Sequence, residues 1–231
     1  MHVSAIVLAA GKGLRLDPRI PKPLLKIGSR PVIIHSLETL NKHPRVKEII
    51  VAVNAQNQKK IVNKIKRYRI TKVSRIVLGG KERQDSVRNA LKAVACSAGL
   101  VLIHDAARPF ITGERISALI KEAQSRGAAI LGVPVKATIK EIHGKSRVKK
   151  TLKRENLREI QTPQVFRKDL ILEAYRKFGD SPVTDDAALV EKLGAGVSVV
   201  LGSYENIKIT TPADLAIAEA FLGQKRCRRI K

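Results

Sequence analysis

Apolar runs alternate with amphipathic segments along the whole chain. The first run is VSAIVLA at 3–9, and similar runs stand at 47–53, 73–78, 100–104, 128–133 and 197–201. Most are nearly continuous and rich in β-branched residues, as strands covered on both faces should be. Helical spacing fills the gaps. Residues 113–126 place Ile116, Leu119, Ile120 and Ala123 on one stripe behind Thr112, a suitable N-cap. Residues 82–96 carry Val87, Leu91 and Val94 on one face, and 184–193 carry Leu189, Val190 and Leu193, with Thr184 as N-cap and Gly194 as stop. A last helix opens at Thr211-Pro212 and buries Leu215, Ala218 and Leu222. Strands alternating with helices predict an α/β fold with a mainly parallel sheet.

One region breaks the rhythm. Residues 135–160 are polar and turn at His143-Gly144, with apolar and polar positions alternating on either side. That pattern predicts a β-hairpin arm. A projecting arm cannot bury its own faces, so it points to a homodimer.

Length and composition narrow the picture. The chain has 231 residues, enough for one substantial core and short for two, so 1–231 is read as a single domain. No apolar run reaches the roughly 18 residues of a membrane span, and the start at 2–10 reads as a buried strand, not a signal peptide. Cys96 and Cys227 have neither metal-site nor disulfide spacing, which suits a reducing cytoplasm. The formal charge of +25 raises the question of a nucleic-acid partner. The excess is densest at 59–75, where basic and apolar positions alternate as on a surface helix, and at 225–231. Aromatic residues make up 3% with no tryptophan, which leaves few stacking platforms for single strands. A nucleic-acid-binding module is therefore set aside as the primary role, and no membrane partner is expected.

The candidate chemistry begins directly after the first run, at Ala9-Ala10-Gly11-Lys12-Gly13-Leu14-Arg15-Leu16. In open α/β folds ligands bind at the carboxyl ends of strands. Glycines there admit close backbone approach, and successive N–H groups cradle anions. Leu16 and the absence of an acid after the second strand argue against a dinucleotide fingerprint, and no Walker loop is present. Lys12, Arg15 and Lys22 instead suit charge neutralisation during phosphoryl-type transfer. A second segment, GGKERQDSV at 79–87, puts Gly79 and Gly80 where a ligand can approach and Ser86 where it can bond a base or sugar. A third, HDAARPF at 104–110, ends a strand with Asp105, a candidate Mg²⁺ ligand, and Arg108, a candidate phosphate ligand; a local Asp–Arg ion pair is the plainer alternative. Thr138 and Arg154 lie in the arm, and Thr162-Pro163-Gln164 and Thr184-Asp185-Asp186 follow it. Lys208 lies in an apolar stretch, where a cation wants an anionic partner.

Taken in order, AAGKGLR and PK at 9–22, GGKERQDSV, HDAARPF, TPQVF at 162–166, TDDA at 184–187 and NIKIT at 206–210 resemble the bacterial 2-C-methyl-D-erythritol 4-phosphate cytidylyltransferases of the non-mevalonate isoprenoid pathway. The resemblance spans nearly the whole chain. It implies a Rossmann-like nucleotidyltransferase domain whose arm dimerises, and transfer of CMP from CTP to a phosphorylated polyol with Mg²⁺. It implies that Arg15 and Lys22 stabilise the transition state and that Arg154 and Lys208 position the acceptor phosphate, Arg154 reaching across the dimer. Asp105, Arg108, Thr138 and Thr162 would line the acceptor site. Ala9, Ala10, Gly11, Gly13, Gly79, Gly80 and Ser86 would hold the nucleotide. Pro23-Leu24-Leu25 replaces a frequent Gln-Tyr, Lys81 stands where an acid is frequent, and Ala137 where an aspartate is usual. These departures leave ribitol 5-phosphate as a competing acceptor.

Overall fold

A computed structural model describes residues 2–11, 20–144 and 146–228, with side chains left out for 225–228. In chain order the elements are β1 (His2–Ala9), β2 (Lys26–Ile27), β3 (Arg30–Pro31), α1 (Val32–Lys42), β4 (Val46–Val53), α2 (Gln58–Arg67), β5 (Val73–Leu78), α3 (Arg83–Leu91) and β6 (Ala98–Asp105). They continue with α4 (Gly113–Arg126), β7 (Ala128–Pro134), β8 (Lys140–His143), β9 (Arg147–Thr151), β10 (Arg158–Arg167), α5 (Lys168–Phe178), α6 (Ala187–Lys192), β11 (Ser198–Leu201) and α7 (Pro212–Arg228).

Among the described residues the main sheet has seven strands in the order β11-β7-β10-β6-β1-β4-β5. Every neighbouring pair is parallel except the two that β10 makes, to β6 and to β7. Strand β1 is central, and its alternate side chains feed opposite faces, as a pleat of period two requires. Val3, Ala5 and Val7 pack with α1, α2 and α4, while Ile6 packs with α3, α5 and α6. Helices thus cover both faces. Residues such as Ile6, Leu37 and Ile49 are wholly removed from water, each burial contributing about 1.5–3 kcal/mol.

A third, smaller cluster lies at one end. Leu25 and Ile27 from the β2–β3 hairpin, Val32, Phe110, Ile209 and Ala218 of α7 come together there, with Phe110 and Phe221 edge to face at 5.9 Å between ring centres. It backs the segment that begins at Lys22 and the stretch that carries Lys208.

The six apolar runs all form strands, and the 113–126 helix has the expected bounds, with Thr112 Oγ1 accepting the Arg115 N–H at 3.4 Å. Thr211 caps α7, accepting the Asp214 N–H at 3.4 Å, but only Ala218 of the three expected apolar residues is fully buried. The expected 82–96 helix ends at Leu91, where Lys92 caps it and the chain turns toward β6. Thr184 is not the cap of α6: that position falls to Asp186, and the Ala188 N–H bonds Asp185 Oδ1 at 3.2 Å. The arm is a hairpin of β8 and β9 turning at Gly144, whose φ of +62° favours glycine, and its expected limit of 160 is too late because β10 starts at Arg158. Helices α1 and α5 and strand β10 have no counterpart in the sequence reading. β10 escapes because Gln161, Thr162, Pro163 and Gln164 interrupt any apolar run, and its ladder with β7 skips between Gln161 and Gln164.

Candidate active site

Strand order reverses beside β1: β4 and β5 continue the sheet on one side, and β6 starts the other. A crevice opens at the carboxyl ends of strands where this happens. Here it is a cleft of about 850 Å³ lined by Leu8 to Gly11 at the end of β1, Lys22, Asn54 after β4, Gly80 to Arg83, Ser86, Asp105 to Ala107, and Lys208 with Thr210.

Its floor is backbone, and two glycines make that possible. A Cβ on Gly79 would stand 2.3 Å from Ala10 Cβ and 2.8 Å from Ser86 Oγ; one on Gly80 would stand 2.1 Å from Asp85 Cβ. No side chain fits either position, so the 79–80 turn lies directly against the loop after β1. Ser86 locks the turn by accepting the Gly80 N–H at 3.1 Å and donating to the Glu82 carbonyl at 3.2 Å. Its hydroxyl thus serves the turn first, with one lone pair left toward the cleft. Glu82 and Asp85 form a reciprocal capping box on α3. Ala9, Ala10, Gly11, Gly80 and Ser86 line this cleft, with Gly79 packed behind. Gly13 and Arg15 lie outside the described residues.

A second cleft, of about 490 Å³, lies alongside, lined by Arg108, Gln161, Thr162, Gln164, Thr184 and Asp185 among others. Arg83, Asp105 and Lys208 line both clefts and so form the wall between them. Asp105 is 6% exposed; its Oδ1 accepts from Arg83 Nε at 3.2 Å and its Oδ2 from Lys208 Nζ at 2.7 Å. Burial alone would push the carboxyl's pKa up, but Arg83 and Lys208 outweigh it and hold Asp105 well below the usual carboxylate range. Arg83 in turn donates to Asp186 Oδ2 at 2.8 Å. Burial works against its charge, yet Asp186 and Asp105 together raise its pKa.

The plain Asp105–Arg108 ion pair is not what forms. Arg108 turns to carbonyls, donating to Asn206 O at 2.8 Å, and its Nε has no partner among the described residues. Beneath it lies a neutral network. Thr162 Oγ1 accepts the Asp105 N–H at 3.0 Å and pairs with His104 Nδ1 at 3.2 Å, while His104 Nε2 meets the Arg108 carbonyl at 3.1 Å. Since the carbonyl can only accept, Nε2 carries the proton and Nδ1 accepts from Thr162. Burial pushes the His104 pKa down to about 4.

Thr138 and Arg154 are exposed and line neither cleft; Arg154 donates to the Lys136 carbonyl at 3.1 Å. Arg83 and Tyr175 have no role in the sequence reading, and Asp186 is named there without one. For Arg83 and Asp186 the signal is chemical, since GGKERQDSV holds a second cation and TDDA a second acid; Tyr175 has no local signal. No group of three His, Cys, Asp or Glu side chains able to hold a metal occurs among the described residues. Among the described residues Asp105 is the one acid common to both clefts, and each of its oxygens already holds a cation. Mg²⁺ is commonly held by one carboxylate with phosphate oxygens and water making up the rest, and Asp105 is the described cleft residue that could supply that carboxylate.

Residues 3–224 match the family model for 2-C-methyl-D-erythritol 4-phosphate cytidylyltransferase (IspD). The chain is 45% identical to the 2-C-methyl-D-erythritol 4-phosphate cytidylyltransferase of Syntrophus aciditrophicus, over 98% of each protein. It is 43% identical to that of Alkaliphilus metalliredigens, over 97% of this chain and 94% of the relative. Among solved structures, the 4-diphosphocytidyl-2C-methyl-D-erythritol synthase of Anaerococcus prevotii superposes with a TM-score of 0.86 at 34% identity, covering 96% of each chain. The Thermus thermophilus cytidylyltransferase gives 0.77 at 32% identity, over 96% of this chain and 98% of that one.

The His104 assignment is testable. An unfolded histidine takes up a proton near pH 6.5 and the folded one only near 4, so stability is full above 6.5 and falls by about 3 kcal/mol as pH drops through that window. Imidazole nitrogen NMR should find His104 neutral and Nε2-protonated at pH 5. A midpoint near 6.5 would break the assignment.

Proposed function

The chain belongs to the 2-C-methyl-D-erythritol 4-phosphate cytidylyltransferase family, and from that we propose how its two clefts carry out the transfer. It is a CTP-dependent nucleotidyltransferase. CMP passes from CTP to 2-C-methyl-D-erythritol 4-phosphate, giving 4-diphosphocytidyl-2-C-methyl-D-erythritol and pyrophosphate.

The observation that carries the division of labour is the shared wall. The larger cleft, with its backbone floor and Lys22, takes CTP; the smaller, with Arg108 and Thr162, takes the acceptor. Lys208 faces both, 40% exposed at its side chain and held by Asp105. An acceptor phosphate oxygen attacks the α-phosphorus, a new P–O bond forms, and the bond to the bridging oxygen breaks as pyrophosphate leaves. Two polyanions must meet, so the protein's task is fixed positive charge, and no nucleophilic side chain is needed. Lys22, with Arg15, stabilises the charge that gathers on the α-phosphate. Lys208 aligns the incoming phosphate, and Arg108 keeps a guanidinium donor for the acceptor.

Mg²⁺ completes the proposal. Asp105 would be the protein residue to hold it beside the triphosphate, where the ion would supply charge neutralisation.

The arm supplies the rest from a second copy. Thr138 and Arg154 line neither of these two clefts in their own chain. The hairpin pairs Ile142 with Val148, 48% and 52% exposed, and an isolated two-stranded hairpin is marginal in water. Covering these side chains in a homodimer would carry Thr138 and Arg154 to the neighbour's acceptor cleft. No helix among the described residues is long and apolar enough to cross a membrane, and with free, exposed Cys96 a cytoplasmic site is proposed.

Pyrophosphate release from CTP with each acceptor tests the substrate. Methylerythritol phosphate should turn over faster than ribitol 5-phosphate, and the reverse order would overturn the acceptor. Arg15→Ala and Lys22→Ala should each lower kcat about a hundredfold or more at unchanged melting temperature, the loss of one well-placed charge contact. Near-normal turnover in either would remove its role. Sedimentation should show a dimer at working concentration, and a monomer would exclude the cross-subunit role of Arg154.

A further inference from the structure

The TDDA segment at 184–187 is only partly accounted for by the clefts. Thr184 and Asp185 line the acceptor cleft, but Asp186 lines neither of the two and is 1% exposed. A buried carboxylate is costly unless it is paired, and this one is paired twice. Its Oδ1 accepts from the Tyr175 hydroxyl at 2.6 Å, and its Oδ2 from Arg83 Nη2 at 2.8 Å. Arg83 then reaches Asp105, and Asp105 holds Lys208. The line runs from α5, through the cap position of α6 and the first residue of α3, to the end of β6 and the lysine between the clefts. Its charges alternate along the way.

We propose that Asp186, fixed by Tyr175, is a positioning residue for cytidylyl transfer: it anchors Arg83 so that Asp105 keeps one oxygen for Lys208. This deepens the functional reading above and rests on it. An arginine facing a single carboxylate favours two parallel hydrogen bonds to both oxygens. With Asp186 present, Arg83 spends Nη2 there and gives Asp105 only Nε. Asp105 Oδ2 is thereby left to Lys208. Without Asp186, Arg83 would take both oxygens of Asp105 and loosen the lysine. Tyr175 reinforces the anchor from below, since its pKa is raised by burial and it stays a donor.

The test is Asp186→Asn, an isosteric change that removes the charge and keeps an oxygen for Tyr175. The acceptor KM should rise roughly tenfold while the CTP KM stays within about twofold, a split that general loss of structure would not produce. A double-mutant cycle gives the second readout. On a Lys208→Ala background, Asp186→Asn should change kcat/KM by less than about twofold, because both act through one lysine. Tyr175→Phe should move the acceptor KM in the same direction by less, and it carries the cycle if Asp186→Asn does not fold. Unchanged acceptor kinetics, equal effects on both KM values, or full additivity with Lys208→Ala would each overturn the positioning role. Wild-type protein that releases no pyrophosphate from CTP and methylerythritol phosphate would fail the functional reading and this inference together. Active wild type with an indifferent Asp186→Asn would fail this inference alone.

Discussion

A buried carboxylate at the end of β6 sets the terms for everything around it. Taking an ion out of water costs several kcal/mol, and Asp105 recovers that only because a cation meets each of its oxygens. Those two cations are shared unequally. Arg83 is itself half-sunk and draws on a second acid, whereas Lys208 keeps its head toward solvent. The result is a charge-balanced wall that presents one lysine to both clefts. A bare lysine there would be free to swing, and a bare aspartate would repel every phosphate that approached. Joined, they offer positive charge in a fixed place, which a reaction between two anions needs.

The fold delivers these groups from far apart in the sequence by ordinary packing. Hydrophobic clusters on either face of the sheet fix β1 and β6 side by side, and so put the loop after β1 against Asp105. The third cluster does the same for the lysines: Leu25 and Ile27 are tied to the segment of Lys22, and Ile209 is next to Lys208, so one small core beneath α7 steadies both. Close backbone approach at Gly79 and Gly80 then makes room for a flat ligand where side chains would otherwise crowd.

Much of this was legible in the sequence because it is written in local patterns. Strands buried on both faces announce themselves as apolar runs, and Thr112 and Thr211 announce the helices they cap. Cleft-lining segments follow strand ends, so the positions of Gly11, Gly80 and Asp105 can be read from the sequence. What escaped was set by long-range pairing. β10 carries Gln161, Thr162 and Gln164 facing buried partners, so its polarity hides its burial; Gln161, for example, bonds the Ser203 carbonyl at 2.9 Å. Likewise Arg83 and Asp186 are separated by more than a hundred positions, and nothing in either segment names the other. Thr138 and Arg154 mark a third kind of limit: both are exposed and line neither cleft.

The same β10 has a consequence for how the molecule comes into being. It lies between β6 and β7, yet both precede it in the chain. As the polypeptide is made, β5, β4, β1 and β6 can assemble from what is already present, but the outer edge of β6 then stays open. β7 cannot close that edge, because its place in the sheet is one strand further out. An unpaired edge is a template for pairing with another chain. Within this sheet the β6 edge therefore has no partner strand until residues beyond 158 arrive to fill the slot. Slow synthesis across 135–157 would lengthen the time that edge stays open to pairing with another chain.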